Sequence, residues 1–174
     1  MFKKSLLLSS FIMAFGLSLN AATISKDECA KKGDNFIFAG NECIEYKKFK
    51  GEVEDSLNII VHGTWKDGTD TLARYAPFAE DISMRTDVTT IAVALPGYSK
   101  SSTNNFTSLS HEGVENLAAK KEYVEFLDEL VKALKDKLGA PSSNKHFTDA
   151  LSLDGVTVNT KLSSSVLTLM PPKL

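Results

Sequence analysis

The side chains able to do chemistry in this chain gather around two short turns, His62-Gly63-Thr64-Trp65 and Pro96-Gly97-Tyr98-Ser99-Lys100-Ser101. Backbone N–H groups beside a glycine can polarise a carbonyl oxygen, a histidine can move a proton, and a serine becomes a nucleophile when a base takes its proton. Two further histidines, His111 and His146, stand in polar stretches, the second three residues before Asp149. The lone cysteine pair, Cys29 and Cys43, leaves a metal at least two ligands short. No metal site is expected.

The turns have to be held by buried strands. Leu57-Asn58-Ile59-Ile60-Val61 is apolar and β-branched up to the His-Gly pair, as in a central strand that delivers a tight turn. Val88 to Leu95 is a second such strand, continuously apolar from Ile91 to Leu95. Between them, Asp67-Gly68-Thr69-Asp70 supplies turn and N-cap chemistry, and Leu72, Tyr75, Phe78 or Ala79, and Ile82 recur at helical spacing. Pro77 is expected to bend that helix or divide it. Strand, helix and strand form a βαβ unit, which puts His62 and Pro96-Gly97 at the same edge of the sheet.

Upstream, Asn35 to Ala39 and Ile44 to Tyr46 flank Gly40-Asn41 as a β-hairpin would, and Cys29 can crosslink to Cys43. A disulfide closing a ring of about 15 residues contributes about 3 kcal/mol in the chain-entropy picture. The charged stretch Phe49 to Ser56 reads as a surface connector. Downstream, Asn104 to Gly113 is a polar loop, and Leu117, Val124, Leu127, Val131, Leu134 and Leu138 mark one face of a helix over about Val114 to Lys137, closed by Gly139.

Apolar strand, His62-Gly63-Thr64-Trp65, helical segment, apolar strand and Pro96-Gly97-Tyr98-Ser99-Lys100-Ser101 together resemble the amino-terminal half of the α/β-hydrolase family, over residues 58–140. The resemblance implies a partial three-layer α/β sandwich with a mainly parallel central sheet, preceded here by the small disulfide-linked hairpin. It implies hydrolysis of ester or other acyl bonds of a small-molecule substrate through a serine nucleophile, with no cofactor. It assigns one oxyanion-hole N–H to Thr64, with His62, Gly63, Trp65 and Tyr98 around the turn and pocket. The second oxyanion donor belongs to a Gly-x-Ser-x-Gly elbow, and this chain contains none.

No nucleophile, acid or base can therefore be assigned. Ser99 lacks the closing glycine and follows the wrong strand, and Ser152 lies in Ala150-Leu151-Ser152-Leu153-Asp154, where Asp replaces the last glycine. His62 either braces its turn or transfers a proton; bracing is the commoner role in such turns. Trp65 is either a substrate contact or a plug over the strand ends, and Tyr98 shares that ambiguity. His111 is expected to be solvated, and His146 lies too close to Asp149 along the chain to form a triad pair without a scaffold.

Met1 to about Ala21 reads as a signal peptide, with Lys3 and Lys4 ahead of an apolar stretch and small residues at Ala21-Ala22. Its removal would move the formal charge from −2 to −4, because two lysines leave and no acid does. That balance argues against a nucleic-acid partner. An exported protein is expected, periplasmic or secreted, with no stable membrane insertion after cleavage. The chain divides into residues 1–21 as signal peptide, 22–50 as the Cys-linked hairpin, 51–140 as the hydrolase-like core and 141–174 as a divergent tail. In that tail Val166 to Met170 reads as a short strand and Val156 to Val158 as a weaker one. The break in pattern at Gly139-Ala140 suggests a hydrolase cut short or shifted in frame. The alternative is a non-catalytic binding or scaffold module whose tail strand covers the edge of the central strand.

Overall fold

A computed structural model describes residues 23–138, together with the backbone of residues 148–153 and 156–163. Gly40 and Asn41 both take positive φ, 52° and 62°, the pair of left-handed residues that a two-residue hairpin turn requires. They join β1 (Phe36–Ala39) to β2 (Glu42–Phe49), so the expected hairpin is present. At Gly40 a side chain would also collide with the helix beyond, since a Cβ there would lie 2.7 Å from the Phe126 ring. Cys29, in the short helix α1 (Lys26–Lys31), is disulfide-bonded to Cys43 of β2, with both residues buried.

The main sheet adds β3 (Val53–Val61) and β4 (Val88–Val93), in the order β1-β2-β4-β3. Its content is mixed α/β, as expected, but the sheet is mixed in direction as well. β3 and β4 are parallel, while β1–β2 and β2–β4 are antiparallel. This corrects the expectation of a mainly parallel sheet. A two-residue turn can join only antiparallel strands, and β2, returning from the hairpin, inserts directly beside β4.

The stretch expected as a surface connector is largely strand. β2 runs through Lys47 and Lys48, paired opposite Ala92 and Ile91, and β3 begins at Val53. Charge does not prevent a backbone ladder when the side chains stay in water, as both lysines do. Gly51 makes the turn tight: a Cβ there would sit 2.1 Å from the Asp87 carbonyl oxygen.

Helix α2 (Thr71–Thr86) joins β3 to β4 and packs against β4 and β2. Asp70 caps it, accepting from the Ala73 N–H at 3.1 Å. Pro77 lies inside one continuous helix and does not divide it. The carbonyl that loses a donor to Pro77 is that of Ala73, which is exposed and can bond to water.

Helix α3 (Lys121–Leu138) starts later than expected. Asn116 takes a left-handed φ of 54°, Leu117–Ala119 forms a single 3-10 turn, and Lys120 is extended. The apolar residues from Val114 to Leu117 thus belong to a turn and not to the helix. The buried stripe is Tyr123, Phe126, Leu127, Leu130 and Leu134, whereas Val124 is 38% exposed. Two aromatics carry the face because Tyr123 and Phe126 pack with Phe106 at centroid separations of 5.1 to 5.5 Å. At the far end Lys137 Nζ donates to the carbonyls of Asp34 and Phe36, tying α3 to the start of β1.

β5 (Thr148–Leu153) and β6 (Val156–Ser163) form a separate two-stranded antiparallel hairpin. The weaker of the two expected tail strands is therefore found, and it is longer than the pattern indicated. Residues 1–21, expected as a signal peptide, Gly139 and Val166 to Met170 lie outside the described residues.

Candidate functional site

The carboxyl ends of β3 and β4 meet at His62. Its ring is 1% exposed, and Nε2 accepts the Leu95 N–H at 3.0 Å. An amide can only donate, so Nδ1 carries the proton and donates to the Gly63 carbonyl at 2.8 Å. Burial pushes the His62 pKa down to about 4, partly opposed by the Gly63 hydrogen bond. With both nitrogens bonded to backbone, the ring is a neutral clasp between the two strand ends. It offers no nitrogen to a serine.

Tyr98 closes the same region. Its ring stands edge-on to His62, with centroids 4.7 Å apart, and it is fully buried. The hydroxyl donates to the Trp65 carbonyl at 2.7 Å and accepts the Trp65 N–H at 3.3 Å. Tyr98 thus fastens the first turn to the second. Trp65 is half-buried, donates Nε1–H to the Tyr75 hydroxyl at 3.2 Å, and carries the Arg74 guanidinium 4.5 Å from its ring centroid. Thr64 is half-buried beside it, and a Cβ on Gly63 would meet no atom within 4 Å.

Ser99 takes φ 49° and has its hydroxyl spent. The Oγ donates to Asp70 Oδ1 at 2.8 Å and accepts the Leu72 N–H at 3.1 Å. It completes the cap of α2 and also holds the second turn against that helix. Asp70 has its pKa lowered, first by Ser99 and then by the Ala73 N–H.

Two arrangements were not visible in the sequence. Asp67 pairs with His111 at 3.2 Å, and the side chains of Ser108 and His111 together lower the Asp67 pKa. This places the acid between serine and histidine, the wrong order for a relay, and Ser108 Oγ is buried without a partner at hydrogen-bonding geometry. His111 is half exposed but engaged, not simply solvated. The second arrangement is the buried Glu42 carboxylate, which accepts from the Ser102 hydroxyl and from the N–H groups of Asn104, Asn105 and Phe106 at 2.9, 2.6 and 2.9 Å. It fixes the loop after β4 to the hairpin. Neither arrangement has a local signature, because its members stand more than 40 residues apart.

Among the described residues no group of His, Cys, Asp and Glu could hold a metal ion, and no helix is long and apolar enough to cross a membrane. His146 and the side chains of Asp149 and Ser152 lie outside the described residues. No protein-family model, curated protein or solved structure matches this chain.

Proposed function

We propose that residues 23–138 are the amino-terminal half of an exported α/β-hydrolase-type unit, which needs a further strand carrying a nucleophile and does not hydrolyse acyl bonds by itself. The observation that carries this reading is the state of β3. It stands at the end of the sheet order, with no strand beyond it among the described residues. Yet in its second half Leu57, Ile59, Ile60 and Val61 are all buried, so both faces of that half are covered as an interior strand's would be. Helix α3 follows β4 in the chain, the place of a crossover helix before a further parallel strand, and packs on β1.

The chemistry supports the same division of labour. The turn after β3 is clasped by His62 and Tyr98, so Thr64 sits at a fixed strand end where a polarising amide belongs. Every serine and histidine around it is occupied structurally or is buried. The intact unit would cleave an ester or other acyl bond of a small molecule through an acyl-serine. The Cys29–Cys43 disulfide is compatible with export.

The test is twofold. The coding sequence past codon 139, read in the other frames, is expected to contain an apolar strand followed by Gly-x-Ser-x-Gly; its absence there and downstream removes the hydrolase assignment. The mature chain is expected to show no turnover of p-nitrophenyl butyrate and no labelling by a fluorophosphonate. Labelling of any serine would refute the inactivity. The occupied state of His62, Tyr98 and Ser99 favours one other reading, a non-catalytic exported scaffold, which predicts an intact gene with no second frame.

A further inference from the structure

The aromatic and charged residues at the mouth of the β3 turn point to a ligand class. Trp65 is the only tryptophan in the chain, and three hydrogen bonds immobilise it: its N–H and C=O to the Tyr98 hydroxyl, and its indole N–H to the Tyr75 hydroxyl. The Arg74 guanidinium lies against the ring of this fixed indole. Stacking of this kind leaves the N–H edge of the guanidinium free to donate and restricts its orientation before any ligand arrives.

The neighbouring acids do not use that edge. Asp67 is paired with His111, and Asp70 bonds to Ala73 N–H and the Ser99 hydroxyl. Among the described residues Arg74 makes no ion pair, although Asp70 precedes it by four positions on the same helix end. Two residues before Trp65, a Cβ on Gly63 would meet nothing within 4 Å apart from its chain neighbours.

We propose that Trp65 and Arg74 form an anion-recognising subsite for a small molecule bearing a carboxylate. A planar carboxylate matches the paired N–H donors of a guanidinium, and the indole behind it keeps water from competing on one face. This deepens the hydrolase reading by making the preferred substrate a half-ester of a dicarboxylic acid, with the free carboxylate on Arg74. The binding itself needs no catalysis.

Because Trp65 is the sole indole, its emission reports on this site alone. The mature, disulfide-intact chain is titrated with succinate, monomethyl succinate, butyrate and phosphate at constant ionic strength. A saturable change is expected with succinate and monomethyl succinate, roughly tenfold to a hundredfold weaker in Arg74→Gln and partly restored in Arg74→Lys. Butyrate has a carboxylate as well and is expected to bind more weakly than succinate, because it lacks the second acyl group. Circular dichroism identical to the parent's establishes that the variants are folded; Arg74 is exposed, so its replacement removes no core packing. No saturable response, an unchanged response in Arg74→Gln, or equal binding of phosphate overturns the proposal. Such a result leaves the hydrolase reading intact, and a gene with no second frame leaves the subsite intact.

Discussion

The two edges of the main sheet are finished to different degrees. At the β1 edge the Cys29–Cys43 disulfide, the capping box of Ser25 and Glu28, the Lys137 clamp and the Glu42 carboxylate converge within a few residues of one another. At the β3 edge Leu57, Ile59, Ile60 and Val61 are buried but no strand follows among the described residues. Exposed sheet edges are normally shortened, charged or covered. The first half of β3 does carry such devices, Glu54, Asp55 and a break in register after Val53, but its second half, Leu57 to Val61, has no charge and is apolar apart from Asn58. The contrast shows that one end of the sheet is finished as a terminus, while at the other the strand's second half has the composition of an interior.

The largest expected effect lies at the finished edge. Glu42→Ala leaves three backbone donors and a serine hydroxyl without their acceptor, at a cost of about 4 kcal/mol in urea unfolding. Glu42→Gln keeps one acceptor and should lose about half of that. If Glu42→Ala unfolds like the parent, the carboxylate is not what secures the loop after β4. Removing the disulfide through Cys29→Ser with Cys43→Ser should cost about 3 kcal/mol. A loss well under 1 kcal/mol would mean that the hairpin is held by its own turn and by packing on α3.

The strand ends should show a pH dependence of similar size. The folded pKa of His62 is about 4, below its ordinary 6.5. The unfolded chain therefore takes up a proton first as pH falls. The stability due to the neutral ring is complete above pH 6.5 and is lost progressively as pH drops through about 4, about 3 kcal/mol in all. His62→Gln should be less stable at pH 7 and should lack this slope between 6.5 and 4. A parent whose stability is flat over that window would contradict the buried clasp. The smallest effect is at Ser99. Ser99→Ala should cost about 1 kcal/mol, through a lost cap and a strained φ, with no change in any ester turnover.

Much of this was legible in the chain. The hairpin, β3, β4 and α2 follow from local signals: a Gly-Asn turn, β-branched runs, an Asp cap and a helical repeat. What was misread has identifiable causes. Charge along Lys47 to Glu54 hid two strand ends, because a ladder is made by backbone and tolerates lysine on a wet face. Val114 and Leu117 sit at helical spacing, but Asn116 turns left-handed between them and delays α3. Within the site, Gly63 and Thr64 could be placed at a strand end from sequence. The bonds that decide the roles of His62, Tyr98 and Ser99 reach across 27 to 33 residues and leave no local trace.

Amide hydrogen exchange along β3 tests the central claim most directly. In a strand paired on one side only, alternate amides point away from β4, and these should exchange roughly a hundredfold faster than their neighbours and than the amides of β4. Uniform protection of β3, equal to that of β4 from Leu57 to Val61, would show that the edge is already covered in this chain and that no strand is missing beside it.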